Sequence, residues 1–273
     1  MRKLVLVAAL AAASLALTAG PAGAITFGKP DGNLHPEVGA LLADYDAESP
    51  GLDVLCSGTL IAPRVFLTAS HCTAYLESQG IEADQVYVTF RPSWDEDSTS
   101  RSGALPGTYH TNPLYASGGQ SNTFDIATVV LDSSPGLTPA RLPAVGLLSR
   151  LKARQEIRSE TFTAVGYGTV RETKTTGPNA FFFDAIRRYA LQHYLSLQRA
   201  WLLLSENIST GSGGTCYGDS GGPHFLGGKT SNLLVAVTVT GDAVCRATDK
   251  DYRLDTPWAR DFLEQFPGVN YPG

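Results

Sequence analysis

The run Thr215-Cys216-Tyr217-Gly218-Asp219-Ser220-Gly221-Gly222-Pro223 constrains this chain more than any other stretch. It places one serine in a glycine-rich turn, directly after an aspartate and four residues past a cysteine. A serine hydroxyl is a weak nucleophile at neutral pH. It needs a base within hydrogen-bond reach and a third group that orients the base. It also needs N–H groups aimed at the oxyanion that forms on attack, and glycines let the backbone turn sharply enough to present them. Gly218 and Ser220 are placed to be those two donors. A fold built around this turn must bring a base and an acid to it from elsewhere in the chain.

Two upstream segments offer them. Leu67-Thr68-Ala69-Ser70-His71-Cys72 sets a histidine among small residues, and Phe124-Asp125-Ile126-Ala127-Thr128-Val129-Val130-Leu131 sets an aspartate at the head of an apolar run. The order is His71, Asp125, Ser220, with intervals of 54 and 95 positions, and it is one of the known chain orders of a Ser/His/Asp triad. On these motifs the chain resembles secreted bacterial members of the chymotrypsin/trypsin family of serine endopeptidases. Ser70 stands where that family usually carries alanine. The resemblance implies an all-β fold of two antiparallel six-stranded β-barrels with a C-terminal helix. It makes Ser220 the nucleophile, His71 the base, Asp125 its orienter, and the N–H groups of Gly218 and Ser220 the oxyanion hole. It implies protein or peptide substrates, a monomer and no cofactor. An esterase of the α/β-hydrolase type runs Ser, Asp, His, and the order here is His71, Asp125, Ser220. The alternative from another class is a non-catalytic binding protein on the same fold, with its pocket or oxyanion turn blocked.

Residues 1–24 read as a secretory signal peptide: Arg2 and Lys3, an apolar run from Leu4 to Leu17, then Ala22-Gly23-Ala24 as a small-x-small cleavage site. The run is shorter than the ~20 residues of a membrane span, so the expected location is extracellular. Cleavage after Ala24 would expose Ile25-Thr26-Phe27-Gly28, which resembles the terminus that family members expose on activation. The resemblance then pairs the Ile25 amino group with Asp219. The expected layout is one peptidase domain, with a first barrel over 25–140 and a second over 141–273, joined through the proline-rich 133–143 stretch.

Four cysteines in an exported chain read as disulfides, with three pairings open from the sequence alone. The resemblance selects Cys56–Cys72 and Cys216–Cys245. No Cys-x-x-Cys spacing suggests zinc, and no metal is expected. The net charge of −5, with scattered Lys and Arg, points to neither a nucleic acid nor a membrane surface.

Short apolar runs separated by turn signals (38–42, 56–61, 65–68, 86–90, 126–131) argue for an antiparallel barrel or sandwich. The acidic 91–107 stretch reads as a solvated surface loop, with calcium as the alternative. Phe181 to Leu204 reads as strand, turn, strand, and 257–266 as a proline-started helix. For the substrate pocket the resemblance points to Gly214 at the floor, where trypsin-like members carry an aspartate. It also points to Thr215, to Gly241 at the mouth, and to Lys250 on the wall. Gly214 speaks against trypsin-like cleavage, and Lys250 raises the option of acidic side chains.

Overall fold

The computed structural model describes residues 25–45, 51–171 and 181–272. The signal-peptide reading of 1–24 lies outside them.

Six strands close the first barrel: β1 (Val38–Ala43), β2 (Asp53–Ala62), β3 (Val65–Thr68), β4 (Val86–Thr89), β5 (Ala104–Thr111) and β6 (Ala127–Leu131). Their order is β1-β2-β3-β6-β5-β4, with β4 returning to β1, and every pairing is antiparallel. The second barrel uses β7 (Thr161–Gly166), β8 (Arg188–Leu197), β9 (Trp201–Ser205), β10 (Pro223–Leu226), β11 (Leu234–Gly241) and β12 (Thr248–Arg253). The order β8-β9-β12-β11-β10-β7 closes through a β7–β8 pairing. Closure leaves no barrel strand with an unpaired edge. Helix α1 (Ser70–Ser78) follows β3, α2 (Leu147–Ala153) precedes the second barrel, and α3 (Pro257–Leu263) ends the fold. Thr256 caps α3 by accepting the Ala259 N–H at 3.3 Å, and Phe262 and Leu263 bury its inner face.

The strand–turn–strand reading of 181–204 corresponds to β8 and β9. Two differences from the sequence reading have physical causes. Strand β5 was hidden because Pro106 and Gly107 interrupt its alternation, yet its place between β4 and β6 closes the barrel. The 91–107 stretch is not a purely solvated loop. Trp94 is buried, its N–H bonds the Ala185 carbonyl at 3.0 Å, and its indole N–H bonds the Leu52 carbonyl at 2.7 Å.

A buried ion pair joins the two halves. Arg187, at the entry to β8, has no exposed surface and donates from Nε to Asp31 Oδ2 at 3.0 Å. It also donates from Nη1 to the Val38 and Phe90 carbonyls at 2.8 and 3.1 Å, and from Nη2 to Gly32 at 3.0 Å. Burial pushes the Asp31 carboxyl up, but the His35 hydrogen bond and the charges of His35 and Arg187 outweigh it and hold it below the ordinary range. Removing one partner of such a pair strands a buried charge, which is far worse than never having had the pair. Arg187→Met should therefore lower unfolding stability by about 3–5 kcal/mol, read from a urea denaturation midpoint at unchanged slope.

Candidate active site

His71 is the second residue of α1, and the backbone there is tied down on several sides. The disulfide Cys56–Cys72 fastens the helix to β2. The hydroxyl of Ser70 donates to the Ile126 carbonyl at 2.7 Å and accepts the Asn112 N–H at 3.2 Å. Ser70 thus links the histidine helix to the segment holding Asp125, which an alanine there would not do. Asp125 is 4% exposed and receives both groups of His71. The His71 backbone N–H donates to Oδ1 at 2.9 Å, and ring Nδ1 lies 2.9 Å from Oδ2. The Nδ1 contact turns Nε2 of the half-exposed imidazole away from the carboxylate, which leaves that nitrogen as the one available to a proton donor.

Ser220 comes from the second barrel, and its turn lies against the first. Its carbonyl accepts the Ser57 N–H at 2.9 Å, and the Gly218 carbonyl accepts the Ser57 hydroxyl at 3.0 Å. That same hydroxyl accepts the Tyr167 N–H at 2.9 Å. A Cβ on Gly221 would collide with Thr68 and Ala69, so the Ser220 turn packs directly onto the approach to His71. Gly218 holds φ +91°, a left-handed conformation that favours glycine. Among the described residues, neither the Gly218 nor the Ser220 N–H donates to a backbone carbonyl outside the strands and helices. Ser57 went unnoticed in the sequence; its only signal is its place beside Cys56.

Asp219 is fully buried and holds the turn from below, accepting the Gly168 N–H on Oδ1 at 2.8 Å and the Cys216 N–H on Oδ2 at 2.9 Å. Gly166 and Gly168 must be small because the Asp219 carboxylate and backbone occupy the space a side chain would need. Burial raises the Asp219 carboxyl to about 7; the two N–H groups and His224 oppose that rise, and Asp249 adds to it. Ile25 is buried against Ala164 and Ala190, and Thr26 exchanges two backbone hydrogen bonds with Gly214 at 2.7 and 3.0 Å.

A pocket of about 260 Å³ opens beside Ser220, lined by Thr215, Tyr217, Val239, Thr240, Gly241 and the Cys216–Cys245 bridge, among others. Of the four pocket residues read from the sequence, Thr215 and Gly241 line it. Gly214 and Lys250 do not, and both are corrections. Gly214 is paired with Thr26 and packed on Glu206, whose carboxyl fills the place of its missing side chain. Lys250 turns outward, with its ammonium 4.1 Å above the Trp201 ring. The reason is register. Lys250 sits between Asp249 and Asp251 on β12, and alternate strand residues face opposite sides, so the two aspartates point inward. Glu206 is a second acid that sequence reading missed. Burial first, then the charges of Asp249, Asp242 and Asp251, push its carboxyl up to about 10, so it is protonated at neutral pH.

The family model described as Trypsin matches residues 42–260. The chain belongs to the trypsin family. It is a serine-type endopeptidase by that membership. Among known proteins it is similar to the snake venom serine protease serpentokallikrein-1 of Protobothrops mucrosquamatus, at 28% identity over 72% of this chain and 71% of that protein. It is also similar to the snake venom serine protease Haly-2 of Gloydius brevicauda, at 26% identity over 74% of this chain and 72% of that protein. Within this family member, both disulfides read from the resemblance are formed.

The raised Asp219 carboxyl makes a signed prediction for the chain that retains residues 1–24. A carboxyl whose folded pKa is raised binds more protons when folded, so its stabilising contribution is complete below about pH 4 and is lost as pH rises through about 7. The difference in melting temperature, wild type minus Asp219→Asn, should therefore fall between pH 4 and 7 and then level off. A flat difference would contradict it.

Proposed function

We propose that this is a secreted endopeptidase in which Ser220, His71 and Asp125 form the catalytic triad. The observation carrying this reading is the two-point grip of Asp125 on His71, which fixes the tautomer and orientation of a base beside the Ser220 turn. Ser220 Oγ attacks the scissile carbonyl carbon while its proton passes to His71 Nε2. The tetrahedral oxyanion is held by the N–H groups of Gly218 and Ser220. Collapse breaks the C–N bond as His71 returns the proton to the leaving amine, and water then hydrolyses the acyl-enzyme by the same steps in reverse. The reaction needs no cofactor.

The alkaline-leaning carboxyl of Asp219 supports the activation pairing. In a chain starting at Ile25, the new ammonium group would supply the positive partner that this buried carboxyl lacks. Removal of residues 1–24 on export would create that terminus, and two disulfides together with kinship to venom proteases favour an extracellular setting. The first barrel and its histidine would then occupy 25–140, and the nucleophile barrel 141–273, in a monomer.

For specificity, the pocket favours uncharged side chains before the scissile bond. Its floor is backed by the protonated Glu206. The Asp242 carboxylate at its rim is already held by the N–H groups of Thr248, Ala247 and Arg246 at 2.9, 2.7 and 3.2 Å. With Lys250 turned away, none of the described lining residues carries a positive charge to attract an acidic residue.

Two measurements check this. Intact mass after a fluorophosphonate probe should give one adduct on Ser220 in a chain starting at Ile25, and none in Ser220→Ala. Ser220→Ala or His71→Ala should lower kcat by roughly 10⁴–10⁶-fold. An unlabelled wild-type protein with that N-terminus would favour the non-catalytic binding protein. Separately, peptides differing only before the scissile bond should be cleaved fastest with uncharged residues such as Leu or Ala. Fastest cleavage after Arg or Lys would mean that Glu206 ionises when a cation enters.

A further inference from the structure

We propose that the interior of the second barrel carries a divalent metal site of the zinc class, formed by His224, Asp249 and Asp251. The residues come from two strands, His224 from β10 and the two aspartates from alternate, same-facing positions of β12. All three are 0% exposed. His224 Nε2 is 2.8 Å from Asp251 Oδ1 and 3.6 Å from Asp249 Oδ2, and the three donor atoms lie within 4.8 Å of one another. A tetrahedral zinc ion with bonds of about 2.0–2.1 Å sets its donors about 3.3 Å apart, a spacing that these distances bracket. Thr238 Oγ1, on the intervening strand β11, is 3.0 Å from Nε2 and adds one more oxygen beside the imidazole.

The second observation is that these groups are left wanting. Both oxygens of Asp251 are buried without a hydrogen bond of good geometry, with the Asp249 carboxyl and His224 Nε2 as their polar neighbours. His224 approaches Asp251 closely but does not meet hydrogen-bond geometry with it, and Gln192 Oε1, on the amide that donates to Asp249 Oδ2 at 2.8 Å, is also unsatisfied. Asp219 and Glu206 add two more buried carboxyls, each pushed up in part by the charge of Asp249. Within this group, His224 is the one potential cation. Buried acids at this density need a counter-charge, and a divalent ion bound to two carboxylates and an imidazole supplies it. Calcium and magnesium fit poorly, since they take six or more oxygens and avoid imidazole. Among the described residues the other cluster of three potential ligands is His71 with Cys56 and Cys72, and those two cysteines are consumed in a disulfide.

The site would act on the protein through Thr215. Its hydroxyl donates to Asp249 Oδ1 at 2.7 Å, and its other face lines the substrate pocket. An ion that fixes Asp249 therefore fixes the base of the pocket, without taking part in bond breaking.

The test uses the secreted chain carrying His71→Ala, which cannot digest itself and lacks the exposed imidazole as a rival ligand. Elemental analysis after expression with zinc should find about one zinc per chain, falling at least roughly tenfold in the added variant Asp251→Asn. Chelation with EDTA should lower the melting temperature of the parent and leave Asp251→Asn unmoved. Should Asp251→Asn fail to fold, cobalt(II) exchange into the parent decides alone: a visible absorption band of tetrahedral intensity supports the site. A parent that holds neither zinc nor a cobalt band, and whose melting is indifferent to EDTA, overturns it and leaves shared protons as what neutralises these acids. None of these readouts depends on proteolytic activity.

Discussion

The candidate site depends on one serine of the first barrel, Ser57, gripping the Ser220 turn of the second. Its N–H holds the Ser220 carbonyl, its hydroxyl holds the Gly218 carbonyl and receives the Tyr167 N–H, and its own carbonyl accepts the Thr68 hydroxyl. Four hydrogen bonds at one residue thus fix the serine turn relative to the strand that delivers His71. Catalytic groups contributed by separate barrels must be aligned to fractions of an ångström, because a shift of about 1 Å can cost on the order of a hundredfold in rate. Ser57 is buried, so these bonds form away from competing water. Ser70 does the same within the first barrel, joining the histidine helix to the carbonyl next to Asp125.

Around this joint the two barrels divide the labour unevenly. The first is packed with aliphatic and aromatic side chains such as Leu41, Leu60, Phe66 and Val88. The second buries an apolar cluster as well, but behind the substrate pocket it gives interior space to Glu206, Asp219, His224, Asp249 and Asp251. Interior carboxyls are costly unless hydrogen-bonded, paired or protonated. Each solution is visible here: Asp219 is met by two N–H groups, Asp249 by Thr215 and Gln192, and Glu206 is held protonated by its surroundings. Asp249 meets Thr215, which lines the pocket beside Ser220, so these acids couple the pocket wall to the interior of the second barrel. A change at Glu206 or Asp249 acts on both.

The sequence was most legible where chemistry demands particular residue types. A serine among glycines, a histidine and an aspartate in a recognised order, and four cysteines together carry the resemblance to one family. The resemblance carried by those few residues implies the family, the barrel architecture and the disulfide pairing, and the two bridges are formed. Legibility failed where the side chain's direction matters. Lys250 was read onto the pocket wall, yet one residue of strand register sends it to Trp201 and turns its two neighbours inward. Strand β5 and helix α1 were missed because their local patterns are weak, and it is barrel closure and the Cys56–Cys72 tether that stabilise them.

What the sequence determined by itself is the set of candidate reactive groups and, through the resemblance they carry, the kind of fold that gathers them, since a nucleophile, a base and its orienter each need a specific functional group. What only the tertiary structure decided is the environment of those groups. Gly214 names an empty floor, but the space is filled by Glu206 from a different strand end. His224, Asp249 and Asp251 are far apart in the chain or separated by an outward lysine, and no local pattern marks them as neighbours. Their meeting depends on how the strands of a closed barrel register against each other. That register is fixed by burial summed over the whole sheet, not by any one residue.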